Sequence, residues 1–158
     1  MKKRGQVVKD LSVKVVRLIK PYCRRIEIAG SIRRGESNPH DIDIVLIPKS
    51  KESKEKLENL LESKGKKMLG GEKKTYFRIE GIEVELYYTV PEEWGATLLA
   101  YLSKKGSGIG LRIVAILKGF KLSQHGLFIR KTGKRIAGRT EREIYSALGR
   151  PYKSPEKR

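Results

Sequence analysis

The spacing of apolar residues changes several times along the chain, and each change marks an element. Val7, Val8, Leu11, Val15, Val16, Leu18 and Ile19 recur at helical intervals and Pro21 follows, so the pattern predicts an amphipathic helix over 7–19. "RIEIAG", 25–30, alternates and predicts a strand, after which Gly30 and Ser31 open a short turn or helix. "DIDIVLIP", 41–48, alternates and then becomes wholly apolar, the pattern of a central strand stopped by Pro48. The lysine-rich stretch 49–67 has an apolar stripe only at Leu57, Leu60 and Leu61 and predicts a charged surface helix. "KKTYFRIEGIEVELYYTV", 73–90, predicts a hairpin turning at Glu80-Gly81. Its second strand sets Ile82, Val84 and Leu86 on one face and Glu83, Glu85 and Tyr87 on the other.

The character changes at Pro91, which stands at a first helical position with two acids in the following turn. "PEEWGATLLAYLSK" and "IGLRIVAILKGF" predict helices, "GLFIRKTGKRIAG" a short hairpin turning at Thr132-Gly133, and "TEREIYSALG" a helix with Thr140 as N-cap and Gly149 at its end. Two lobes are expected, an αβ lobe over 1–90 and a smaller, mainly helical lobe over 91–158. Trp94 is expected to be a core or interlobe anchor, and His125, beside a turn, needs no role.

Composition adds a partner. Lys and Arg total 36 against 18 Asp and Glu, a formal net charge of +18. Such an excess attracts polyanions, and nucleic acid is the usual one. The single cysteine, Cys23, excludes an intrachain disulfide and fits a reducing compartment as a small core residue. The chain shows no secretory h-region and no apolar run of membrane-spanning length, so a cytoplasmic protein with no membrane partner is expected. Scarce Asn and Gln in a chain that is 34% charged point weakly to a thermophilic source.

Against that basic background, the acids in the most apolar segment stand out. Asp41 and Asp43 are two apart on a predicted strand, so both leave the same face while Ile42 and Ile44 point into the core. Two carboxylates this close repel unless a cation lies between them, and hard divalent cations take such oxygen ligands. A third carboxylate is expected from the neighbouring strand: Glu85, with Glu83 as the alternative on the same face. Upstream, Gly30 allows close backbone approach, Ser31 can donate to a phosphate, and Arg33 or Arg34 can pair with phosphate oxygens bidentately.

Gly30-Ser31 followed by Asp41-x-Asp43 resembles the nucleotidyltransferase superfamily motif, and "GSIRRG" in that setting is similar to the family X DNA polymerases, the DNA polymerase beta group. "VELYYTVPEEWGATLLAYL", "LRIVAILKGFKLSQHGLF" and "GKRIAGRTEREIYSALGRPYKSPE" continue the resemblance, which spans roughly residues 24 to 157. It implies an α+β fold: a polymerase beta-like palm with a mixed or antiparallel sheet, plus a small, mainly helical C-terminal, thumb-like lobe with a short hairpin. It implies that Asp41, Asp43 and Glu85 are catalytic and hold two Mg²⁺ ions, or Mn²⁺ in their place. Gly30, Ser31 and Arg34 would hold the β- and γ-phosphates of a nucleoside triphosphate, Tyr101 would lie against its sugar, and Arg112 would reach the DNA template strand. The implied activity is DNA-directed DNA synthesis by a monomer on gapped or primer-template DNA, in repair.

The chain departs from the family pattern at several points. Glu85 stands where Asp is usual, His40 where Gly is usual, "AYLSK" replaces a Tyr-Phe-Thr-Gly-Ser turn, and Gly108 falls where an asparagine reads the incoming base. The segment before the resemblance is too short for the upstream helical domains of larger members, so their lyase activity is not expected. Two alternatives remain: a nucleotidyltransferase that is template-independent or acts on something other than DNA, and a catalytically silent nucleic-acid-binding module.

Overall fold

The alternating segments of the first half pair into one five-stranded sheet. The computed structural model describes residues 3–102 and 105–158, and the side chains of all of these except 101–102 and 105–107. The chain falls into two units, residues 1–88 and 89–158. The first runs α1 (Arg4–Ile19), β1 (Cys23–Ala29), α2 (Gly30–Arg33), β2 (Ile42–Pro48), α3 (Lys51–Glu62), β3 (Lys66–Leu69), β4 (Lys74–Ile79) and β5 (Ile82–Tyr88).

Strand order is β1-β2-β5-β4-β3. β2 and β5 are parallel and the other pairs antiparallel, so the sheet is mixed. Parallel neighbours need a long crossover, and here it contains α3, β3 and β4. Ile42, Ile44 and Leu46 of β2 and Val84 and Leu86 of β5 pack against Val8, Leu11, Val15 and Ile19 of α1 and Leu57 and Leu61 of α3. Burying one face this way leaves Asp43 and Glu85, which alternate with those residues, on the other. β4 and β5 are joined at Glu80 (φ 52) and Gly81 (φ 74), with Ile79 opposite Ile82. That is the expected two-residue hairpin turn.

The lysine-rich stretch does not stay helical. Ser50 caps α3, which ends at Glu62, and Lys66–Leu69 forms β3 instead. β3 is an edge strand, where charged and exposed residues are tolerated, and that is why its sequence does not alternate. Glu58 of α3 is buried and accepts hydrogen bonds from Tyr88 Oη (2.6 Å) and Thr75 Oγ1 (3.1 Å), with Lys67 Nζ 2.9 Å away. Glu58→Ala strands these donors and is expected to lower unfolding stability by about 2 kcal/mol or more, read from the urea midpoint.

The second unit comprises α4 (Trp94–Leu102), α5 (Lys105–Leu117), β6 (Phe120–Ser123), β7 (Gly126–Ile129), β8 (Arg135–Ala137) and α6 (Glu141–Ala147). The expected hairpin is part of a three-stranded antiparallel sheet, because β6, whose Phe120 falls at the end of the expected helix, pairs with β7. Leu99, Leu111, Leu127, Ile144 and Leu148 form its core, and Trp94 is 2% exposed. Thr140 caps α6 in a reciprocal box with Glu143. The buried Arg158 pairs with Glu141 and donates through Nε to the Lys153 carbonyl at 3.0 Å. Cys23 is buried, and burial raises its thiol to about 11, so it is an inert core thiol. No helix among the described residues is long and apolar enough to cross a membrane.

Candidate active site

Asp43 lies opposite Ala29 on one side and Glu85 on the other. Because β2 and β5 run in parallel at that register, the two carboxylates stand side by side on the same face. Tyr87, two residues further along β5, joins them: its hydroxyl donates to Glu85 Oε2 and lies 3.3 Å from Asp43 Oδ1. Lys74 of β4, opposite Tyr87 in the ladder, places Nζ 3.3 Å from Glu85 Oε1 and 5.4 Å from the centre of the Tyr87 ring.

Gly30 closes the other side of Asp43. It has φ +62, and a Cβ there would overlap the Asp43 carboxylate. Glycine is required on both counts, for the left-handed backbone and for the close approach. Ser31 follows in α2, half-buried. Arg34 caps α2 with Nη2 3.1 Å from Glu36 Oε1, and Arg33 Nε lies 3.5 Å from Glu27 Oε1.

Asp41 differs from the sequence expectation. β2 begins at Ile42, so Asp41 lies just before the strand rather than within it, and it is exposed. Among the described residues, no group of three or more His, Cys, Asp or Glu converges as a metal cluster. Asp43 and Glu85 are brought together; Asp41 is within electrostatic range of Asp43, Glu83 and Glu85 without completing a three-acid cluster. Glu83 faces Arg78, 3.7 Å away. On the second unit, Arg112 is exposed on α5 and lines a hollow of about 220 Å³ with Gly108, Leu111, Ser123 and Gln124. The side chain of Tyr101 lies outside the described residues. His125, given no role by the sequence, holds Nδ1 2.7 Å from Glu93 Oε1.

Tyr87 and Lys74 were missed as site residues. The signal for Tyr87 was present, since it shares the acid face in the period-2 pattern; the position of Lys74 depends on hairpin register.

The electrostatics are those of a cluster short of positive charge. Burial, a hydrogen bond to Glu85 and the Glu85 charge push Asp43 up to about 7. Burial also works against the charge on Glu85, but the Tyr87 hydroxyl, the Lys74 ammonium and the hydrogen bond with Asp43 outweigh it and hold its carboxyl below the usual range. Asp41 is raised by burial and by the charges of Glu83 and Glu85, against His40 and Arg4. The oxygens of Asp43 and Glu85 fit a hard divalent cation, which would replace the shared proton and relieve the repulsion.

A pH dependence follows. A carboxyl raised on folding contributes stability that is complete below its unfolded value, roughly 3.9, and is lost as pH rises through the folded one. For Asp43 the loss runs up to and through about pH 7. In chelator, Asp43→Asn is therefore expected to gain stability over the unaltered protein progressively from pH 5 to 8, with little difference near pH 4. Thermal midpoints across that series check it.

Comparison with known proteins supplies the family. Residues 108–158 match the DNA polymerase beta thumb family. The Repair DNA polymerase X of African swine fever virus isolate Pig/Kenya/KEN-50/1950 is 30% identical over 154 residues, covering 89% of this chain and 85% of the viral one. That of isolate Tick/South Africa/Pretoriuskop Pr4/1996 is 28% identical over 165 residues, covering 97% and 95%. DNA polymerase IV of Saccharomyces cerevisiae is 39% identical over 67 residues, 42% of this chain and 11% of the yeast protein. The chain is thus a nucleotidyltransferase, a DNA polymerase. It belongs to family X of those polymerases, as a small member.

Proposed function

We propose that this is a minimal repair polymerase that fills short gaps, adding a nucleotide to a primer 3′-hydroxyl on a DNA template with release of pyrophosphate. Residues 1–88 act as the palm and 89–158 as a thumb-like lobe. The observation that carries the reading is the Asp43–Glu85 carboxylate pair, set beside Gly30 on a chain of net charge +18. The Lys74 ammonium balances Glu85 alone and leaves the buried Asp43 uncompensated, the kind of surplus of oxygen ligands that nucleotidyl transfer uses to hold cations.

Asp41, Asp43 and Glu85 would hold two Mg²⁺ ions, or Mn²⁺. Bound there, such ions supply charge neutralisation at the phosphates and a lowered pKa for the attacking hydroxyl. The residues themselves position and balance charge. Gly30 seats the Asp43 carboxylate against the backbone, and Ser31 and Arg34 would donate to the β- and γ-phosphates. Lys74 and the Tyr87 hydroxyl orient Glu85 toward Asp43. Arg112 contacts the template strand and Tyr101 the nucleotide sugar. Positioning and electrostatic stabilisation account for most of such a reaction, so few groups are needed.

Single-nucleotide incorporation on a gapped template in Mg²⁺ tests the reading. Extension by the complementary nucleotide alone is the expected result. Addition without regard to template would assign a template-independent transferase, and DNA retention with no addition would assign a silent binding module.

A further inference from the structure

The first turn of α1 is packed against the loop that precedes Asp41, and the reaction as described gives it no part. Gly5 is buried, and a Cβ there would lie 2.6 Å from Asn38 Oδ1, 2.8 Å from Asn38 Cα and 3.0 Å from the Ser37 carbonyl oxygen. The helix backbone is therefore seated directly on the loop that leads to Asp41. Next to it, Arg4 Nη2 donates to the Gly81 carbonyl at 3.3 Å, in the turn between β4 and β5.

These contacts converge on one end of the sheet. Residues 37–41 lead into β2 and residues 80–81 into β5, and because β2 and β5 are parallel the two strands start at the same end. Asp43 and Glu85 are fixed by ladder register, by Gly30 and by Tyr87. Asp41 has no such fixing, since the ladder begins at Ile42. What orders Asp41 must come from outside the strand, and the first turn of α1 touches its loop.

We propose that Gly5 and Arg4 are positioning residues for the reaction: together they clamp loop 37–41 and the 80–81 turn, keeping Asp41 within reach of Asp43 and Glu85 so that it can close on a divalent cation when one binds. This rests on the acid-cluster reading above. Arg4 serves as a tether and not as a charge, because a guanidinium beside a metal site repels the metal. Its removal would tighten metal binding if charge were its contribution, and loosens it if the tether is.

The test reads Mn²⁺ binding by electron paramagnetic resonance on the full chain, alongside gap filling, for Gly5→Ala, Arg4→Ala, Arg4→Lys and Asp41→Ala. Val13→Ser, at a half-exposed site on the same helix, is the control. Gly5→Ala and Arg4→Ala are expected to weaken Mn²⁺ binding by about tenfold, the usual effect of removing a support behind a ligand. Arg4→Lys, which keeps a long donor, recovers most of it, and Val13→Ser changes nothing. Should Gly5→Ala fail to fold, Arg4→Ala decides alone. If Asp41→Ala leaves Mn²⁺ binding and gap filling intact, the acid-cluster reading itself fails. If Asp41→Ala abolishes both while Arg4→Ala binds Mn²⁺ normally or more tightly, only the role of the helix is overturned.

Discussion

Asp43→Ala is expected to abolish primer extension, a loss of at least about a thousandfold on the scale of removing one group that stabilises transition-state charge. DNA retention should hardly change, because removing one acid from a chain of net charge +18 strengthens its attraction for phosphate. The asymmetry is what makes the result informative. A merely structural Asp43 would show itself as lost stability, yet its carboxyl is pushed up to about 7 by burial and by Glu85, so the uncharged variant folds more readily at neutral pH. Loss of extension together with retained or raised stability assigns the side chain to chemistry. Single-turnover extension and a thermal melt on the same preparation read both. Extension near the unaltered level would remove the basis of the proposed site.

The second large effect belongs to a residue with no side chain. Gly30→Ala meets two obstacles at once: a φ of +62, which costs a residue with a Cβ roughly 1–2 kcal/mol, and direct overlap with the Asp43 carboxylate. The backbone has Ala29 paired to Asp43 and cannot retreat without breaking the ladder, so the carboxylate must turn away from Glu85. A fall in extension approaching that of Asp43→Ala is expected, with weakened Mn²⁺ binding. Asp43→Ala in the same background should then add little further loss, since the two changes act on one contact. Additive losses would show that Gly30 acts elsewhere, for instance on a phosphate alone.

Much of this was legible in the sequence wherever burial enforces a period. The alternation of Ile82, Val84 and Leu86 with Glu83, Glu85 and Tyr87 set the faces of β5 correctly, because slipping by one residue would bury acids and expose the core. The choice between Glu83 and Glu85 was not legible. It depends on the neighbouring strand, which sets Glu85 opposite Asp43 and gives Arg78 to Glu83. Edge strand β3 escaped because Lys66 is exposed and Lys67 turns to Glu58 of α3, and β6 because its Phe120 extends the apolar spacing of α5. Asp41 was assigned to a strand that begins one residue later, since alternation alone does not mark where pairing starts. Arg4 and Gly5 precede the first apolar position of α1, where periodicity carries no information.

The parallel pairing of β2 with β5 has a consequence for how the protein comes into being. The two acids belong to segments that become neighbours only after everything between them has been made and laid across the sheet. A growing chain released from the ribosome as far as β4 carries Asp43 without a partner acid. The carboxylate pair therefore forms late, in the same step that closes the centre of the sheet, and an incompletely folded copy lacks it.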